Sequence, residues 1–291
     1  SIDCFGNWTE TEVKNFYNQD ILRQYGLVKL GTTESGIIGS FNQDGTELSQ
    51  LKLAIVTYNY GSREKGGKTY PVVLKGVEES QHGVTKSKDW FGNWTETEVK
   101  NTYSQDLIDN YGIVKVRTSE SNIVGSFNQD GTELIQTQTV KVTYSYRDKV
   151  KDGKRYHGIL DGVVESQHGR TESIDCFGNW TETEVNNTYD RDLIRGYGIV
   201  KVKTSESKVV GSFNYDGTEV SQVKSAIVEY RYNLDRRNGP IGKLLWANES
   251  QHGITRSKDF FGNWTDTEVS NIYDPDLMRD YGIMKVKTSE S

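Results

Sequence analysis

Phe5–Val13 reads FGNWTETEV; the same residues return from Phe91 and Phe177, and a fourth copy, FGNWTDTEV, starts at Phe261. Self-similarity at a fixed long spacing marks a chain built by repetition, and it is read before any local pattern. Working outward from each copy gives units Ser1–Lys86, Ser87–Glu172 and Ser173–Arg256, with a partial unit Ser257–Ser291. Between Ser87–Ser121 and Ser173–Ser207, 27 of 35 positions are identical, so these are copies of one another. A unit of about 86 residues can bury roughly 60% of its unfolded surface, which supports a modest core without staples.

The chain opens on SIDCFGNW and closes on KVKTSES, whereas inside it that closing stretch runs on into GIIGSFN, NIVGSFN or KVVGSFN. If a unit begins at that strand-like run, the divisions are 36–121, 122–207 and 208–291, with 1–35 a partial repeat of helical segment and first strand. The phase suggests a mature product or fragment whose array continues elsewhere, with copies of itself as head-to-tail partners.

Local patterns give an α+β expectation for each unit. Thr9 and Glu12, three residues apart, have capping-box spacing, as do the copies starting at Thr95, Thr181 and Thr265. Val13, Phe16, Tyr17, Ile21 and Tyr25 follow at helical spacing and Gly26 can end the helix. Asn18, Ser104, Asp190 and Asp274 are good N-caps, and Pro275 suits a first helical position, so one broken helix or two short ones are predicted. Two short strands with a Gly turn between Phe213 and Val220 come next. Ala226–Tyr232 then alternates as a half-buried strand, a basic loop follows, and a last strand such as YPVVLKG closes the unit. The sum is an antiparallel sheet of about four strands with a short helical segment on it.

Composition narrows the function classes. With 35 basic against 41 acidic residues the net charge is −6, against a general nucleic-acid binder, which needs phosphate neutralisation. Mean hydropathy is −0.70, yet 17 Tyr and 6 Trp are too many aromatics for a disordered chain. No apolar run is long enough to span a membrane, so no membrane insertion is expected. Cys4 and Cys176 share a repeat position with Trp90 and Phe260, which reads as a buried apolar site.

The most enzyme-like motif is ESQHG, with Glu79, Ser80 and His82 and its copies, but neighbouring residues on a strand point apart, so a turn with a locally bonded His is expected. One such His per repeat offers no chelate spacing, so neither metal nor cofactor is expected. NQDGTE, with Asn42, Asp44 and Glu47, resembles part of a calcium loop and reads instead as a hairpin turn. A Trp beside amides has the chemistry of a sugar platform. Sugar-binding candidates are therefore Asn7 and Trp8, Asn93 and Trp94, Asn179 and Trp180, Asn263 and Trp264, with His82, His168 and His252 beside them. Asn7, Asn93, Asn179 and Asn263, with Asn186 and Asn248, are also glycosylation sequons. The expectation is a non-enzymatic, extracellular structural or adhesive repeat protein that self-assembles into filaments or matrix. The alternative is a multivalent lectin with glycans as partners.

Overall fold

A computed structural model describes residues 8–42, 45–282 and 284–291. The chain runs β1 (Trp8–Tyr17), α1 (Gln19–Tyr25), β2 (Leu30–Phe41), β3 (Glu47–Lys52), β4 (Ala54–Lys65) and β5 (Lys68–Gln81). Next come β6 (Gly83–Lys88), β7 (Trp94–Tyr103), α2 (Gln105–Tyr111), β8 (Val116–Phe127), β9 (Glu133–Gln138), β10 (Val140–Lys151) and β11 (Lys154–Gln167). Then follow β12 (Gly169–Ile174), β13 (Trp180–Tyr189), α3 (Arg191–Tyr197), β14 (Val202–Phe213), β15 (Glu219–Lys224), β16 (Ala226–Tyr232) and β17 (Leu244–Gln251). The last are β18 (Gly253–Lys258), β19 (Trp264–Tyr273), α4 (Pro275–Tyr281) and β20 (Val286–Glu290).

These strands form four antiparallel sheets, and strand accounts for 66% of the chain against 10% helix. The sheet orders are β1-β2-β4-β5, then β11-β10-β8-β7-β6-β3, then β17-β16-β14-β13-β12-β9, and finally β15-β18-β19-β20. The inner sheets therefore have six strands where about four were expected, because strands cross between sheets. β3 follows β2 in the chain, yet its ladder is with β6 in the next sheet. β2 and β3 touch instead through Ser40, whose Oγ accepts the Leu48 N–H at 2.6 Å and donates to its carbonyl at 2.9 Å. Ser126 with Leu134 and Ser212 with Val220 repeat the arrangement.

Three local expectations are corrected. WTETEV is a strand in every copy, not the head of a helix. Thr, Glu, Thr, Glu, Val alternates with period two, and β-branched residues at every second place favour a pleated strand over a capping box. The helix starts only at Gln19, after Asn18, whose Oδ1 caps the Ile21 N–H at 3.0 Å; Gly26 ends it at φ +66°. Secondly, the strand before the Phe213–Val220 turn is not short: β14 runs unbroken for twelve residues, with a bulge opposite Glu182/Thr183. Divisions at 35/36, 121/122 and 207/208 thus cut inside β2, β8 and β14.

Thirdly, the position shared by Cys176, Trp90 and Phe260 is exposed, not buried. It sits in a tight turn whose geometry is set by polar groups. Asp89 accepts from the Asn93 N–H at 2.9 Å and from Asn93 Nδ2 at 2.8 Å, so the residues between are held outward. Cys4 lies outside the described residues.

The apolar interior is small and gathers at the helices. Ile108, Leu193, Ile194 and Met278 are all but fully buried. They lie where α2, α3 and α4 pack against β5, β11 and β17 of the preceding sheet. A seven-residue helix is marginal alone, so this packing is what holds it.

Candidate functional site: the sheet junctions

In three copies the Trp of FGNW packs against the neighbouring strand. The Trp8, Trp94 and Trp180 rings lie on Gly39, Gly125 and Gly211 of the next strand, 3.0–3.3 Å from where a Cβ would be. The free faces are contested too. Lys86 Nζ sits 3.5 Å from the Trp94 ring centre and the Arg256 guanidinium 4.1 Å from that of Trp264. Cation–π contact of this kind covers the face a sugar would need.

Asn93 is equally committed. Besides its bonds to Asp89, its Oδ1 accepts the Gln129 N–H at 2.9 Å, tying the β6–β7 turn to the β8–β9 turn. Asn179 repeats this with Asp175 and with the Tyr215 N–H at 3.0 Å. Asn263 Nδ2, likewise, donates to Asp259 at 2.8 Å. The nitrogen that a glycan would join is thus engaged at these three sequons. Asn186 is half-buried on β13 and Asn248 is exposed on β17. Asn7 lies outside the described residues, as does Asp44 of the first NQDGTE segment. In its second copy Asp130 accepts the Thr132 N–H at 2.9 Å beside Gly131 at φ +81°, a tight turn but not the expected hairpin, since it joins β8 and β9 of different sheets.

The exposed aromatics are the residues just before. Trp90 and Phe91 are 82% and 71% exposed, Phe260 and Phe261 81% and 85%. Phe177 and Tyr215 are also strongly exposed. Trp90, Cys176 and Phe260 pack their Cβ atoms over Gly45, Gly131 and Gly217 of the neighbouring turns, so the tips of these turns form one connected row.

ESQHG builds the contacts between sheets. The side chains of Glu79, Glu165 and Glu249 are 3%, 1% and 3% exposed. Glu79 reaches from β5 to β7 of the next sheet, accepting from the Asn101 N–H at 2.5 Å and from Asn101 Nδ2 at 3.2 Å. His82 Nδ1 stands 3.3 Å from the same carboxylate. Glu165 takes Asn187 Nδ2 at 3.0 Å with His168 at 3.3 Å, and Glu249 takes the Asn271 N–H at 2.6 Å with His252 at 3.5 Å. Ser80, adjacent in sequence, instead bonds Thr57 at 3.1 Å and the Ile55 carbonyl at 3.3 Å. The local bond expected of His82 is present, but Gly83 has no positive φ. Its role is close approach, since a Cβ there would lie 3.3 Å from that of Ala54.

Burial pushes the Tyr103 phenol up to about 12, with the Glu79 charge adding to it. Tyr189 is likewise pushed to about 12 by burial and then by Glu165. Both phenols therefore keep their protons throughout the neutral range.

Sequence reasoning missed a second strut, Gln50. The β2–β4 ladder ends at Ser35↔Ala54, and beyond it Gln50 Oε1 accepts the Ile37 N–H at 3.1 Å. Gln50 Nε2 donates to the Val84 carbonyl at 3.1 Å, so one amide joins β2 to β6. Gln136 serves the Ile123 N–H at 2.6 Å, and Gln222 the Val209 N–H at 3.0 Å. The signal available was a Gln at matching places in ELSQ, ELIQ and EVSQ.

Between these struts lie clefts, among them one of about 200 Å³ at the first junction and one of about 300 Å³ at the third. Among the described residues no group of three or more His, Cys, Asp or Glu is arranged to hold a metal ion. No helix among them is long and apolar enough to cross a membrane. Compared with family models, curated proteins and solved structures, the chain matches none.

Proposed function

We propose that the chain is a non-enzymatic, secreted structural or adhesive protein, a tandem array of α+β units of about 86 residues. On this reading it assembles with copies of itself into filaments or matrix. The observation that carries it is strand crossing. β3, β9 and β15 each complete the sheet that follows, so every junction is made by a backbone ladder as well as by side chains. Ladders joined this way resist relative rotation of successive sheets, which suits a load-bearing or spacing role. Repetition supplies reach and avidity. Light scattering and negative-stain imaging over a concentration series test the assembly. Filaments or a ladder of larger species support it, and a monomer at every concentration removes it.

A multivalent carbohydrate-binding role has one observation in its favour, the row of exposed aromatic tips around Trp90–Phe91 and Phe260–Phe261. Aromatic faces stack on the C–H side of sugar rings. In that case Trp90→Ala with Phe261→Ala abolishes agglutination of glycan-coated beads. Unchanged agglutination dismisses the tips.

A further inference from the structure

The two clefts share most of their lining positions, the main exception being Gly36 in the first where Lys208, ion-paired with Glu184 at 3.1 Å, stands in the third. Ala54, Glu79, Thr85 and Asn101 in the first stand where Ala226, Glu249, Thr255 and Asn271 stand in the other. Each cleft has one wall from the earlier sheet and one from the later, so only correct stacking of sheets creates it.

The chemistry of the linings is specific. In the third cleft Glu249 keeps one oxygen on the Asn271 N–H, and among the described residues Oε1 has no hydrogen-bond partner, whereas in the first both Glu79 oxygens are taken by Asn101. Among those residues the Thr85 and Thr255 hydroxyls and the Asn271 side-chain amide also make no hydrogen bond inside the chain. A carboxylate only accepts, whereas hydroxyls and amides both donate and accept. The complementary ligand carries several hydroxyl groups and no negative charge. Val99, Val269 and the two Ala side chains give aliphatic wall for C–H groups. Drug-sized ligands occupy pockets of about 300–1,000 Å³, so clefts at or below that floor suit a single ring.

We propose that these two clefts each bind one neutral, hexose-sized sugar residue. The middle junction differs at two lining positions: Val140 replaces Ala54 and Ala226, and Asn122 stands where Gly36 and Lys208 stand. Val140 Cγ2 comes within 2.5 Å of where a Gly169 Cβ would be, against 3.3 and 3.2 Å for the Ala methyls at Gly83 and Gly253. The extra methyl groups narrow the middle cleft, so the full chain has two sites and not three. This stands on cleft geometry and is independent of self-assembly.

The test uses the full chain with ¹³C-labelled Ala and Val methyl groups, titrated with the methyl glycosides of glucose, galactose, mannose and N-acetylglucosamine. At least one glycoside should move the Ala54 and Ala226 signals in a saturable way and leave Val140 still. Val140→Ala should raise the number of sites from two to three. Ala54→Val with Ala226→Val should abolish the response, and folding is expected to survive because the chain itself carries Val at the middle junction. Silence toward all four glycosides overturns the proposal. A response that persists in the double variant does the same.

Discussion

At the scale of single residues, carboxylates do the positioning. Asp175 is held below the usual carboxylate range chiefly by the Asn179 side-chain amide, with backbone N–H groups assisting, and Asp259 is held down in the same way by Asn263. A depressed value means that the turn is favoured above the ordinary carboxylate range and loosens as pH falls through the depressed one. Acid titration followed by NMR should show the Asn179 and Gly178 amide signals moving together at a pH below that of a free Asp. Glu79 acts across the junction instead. Glu79→Ala leaves the Asn101 N–H without its acceptor and should cost about 1–3 kcal/mol, read from the urea midpoint, with faster exchange of the Asn101 amide. The ESQHG motif was legible as something other than a triad, because Ser80 and Glu79 alternate along a strand. That Glu79 reaches another sheet was not legible, since its partner lies 22 residues on.

At the scale of elements, one close approach recurs with different occupants. The first strand after each QH crosses the start of β4, β10 or β16, and only a glycine lets the strands meet. Gly169→Ala puts a methyl against Val140 and should destabilise the chain by about 1–3 kcal/mol. In a Val140→Ala background the same change should cost less, with a coupling of about 1 kcal/mol in a double-mutant cycle. Additive costs would mean that the neighbours relax independently. The helix caps and end at Asn18 and Gly26 were readable from sequence because they obey local rules. WTETEV was misread because Thr-x-x-Glu satisfies both a capping box and a two-residue alternation. The ladders with β2, β8 and β14 decide between the two, and they are contacts that no local window contains.

At the scale of the whole molecule, the first sheet differs from the inner ones in what covers it. β7 and β13 are laddered to β6 and β12, and α2 packs on β5. β1 has no strand on its outer side among the described residues, and Val13, Phe16 and Tyr17 are 55%, 49% and 50% exposed. Their counterparts Val99 and Tyr103 are half-buried, and Ile108, the counterpart of Leu22, is buried. An open strand edge beside apolar side chains is a template for another chain. Burying Val and Phe side chains fully contributes about 1.5–3 kcal/mol each, enough to sustain association at modest protein concentration. Association through β1 therefore predicts that Val13→Lys with Phe16→Lys weakens self-association at least about tenfold, since each factor of ten is about 1.4 kcal/mol. Sedimentation velocity over a concentration series measures it, and circular dichroism verifies that the variant folds, as it should with both changes at exposed positions. A variant that associates as strongly as the parent chain would move the contact away from β1 and toward the aromatic tips, where Trp90→Ser with Phe261→Ser becomes the decisive pair.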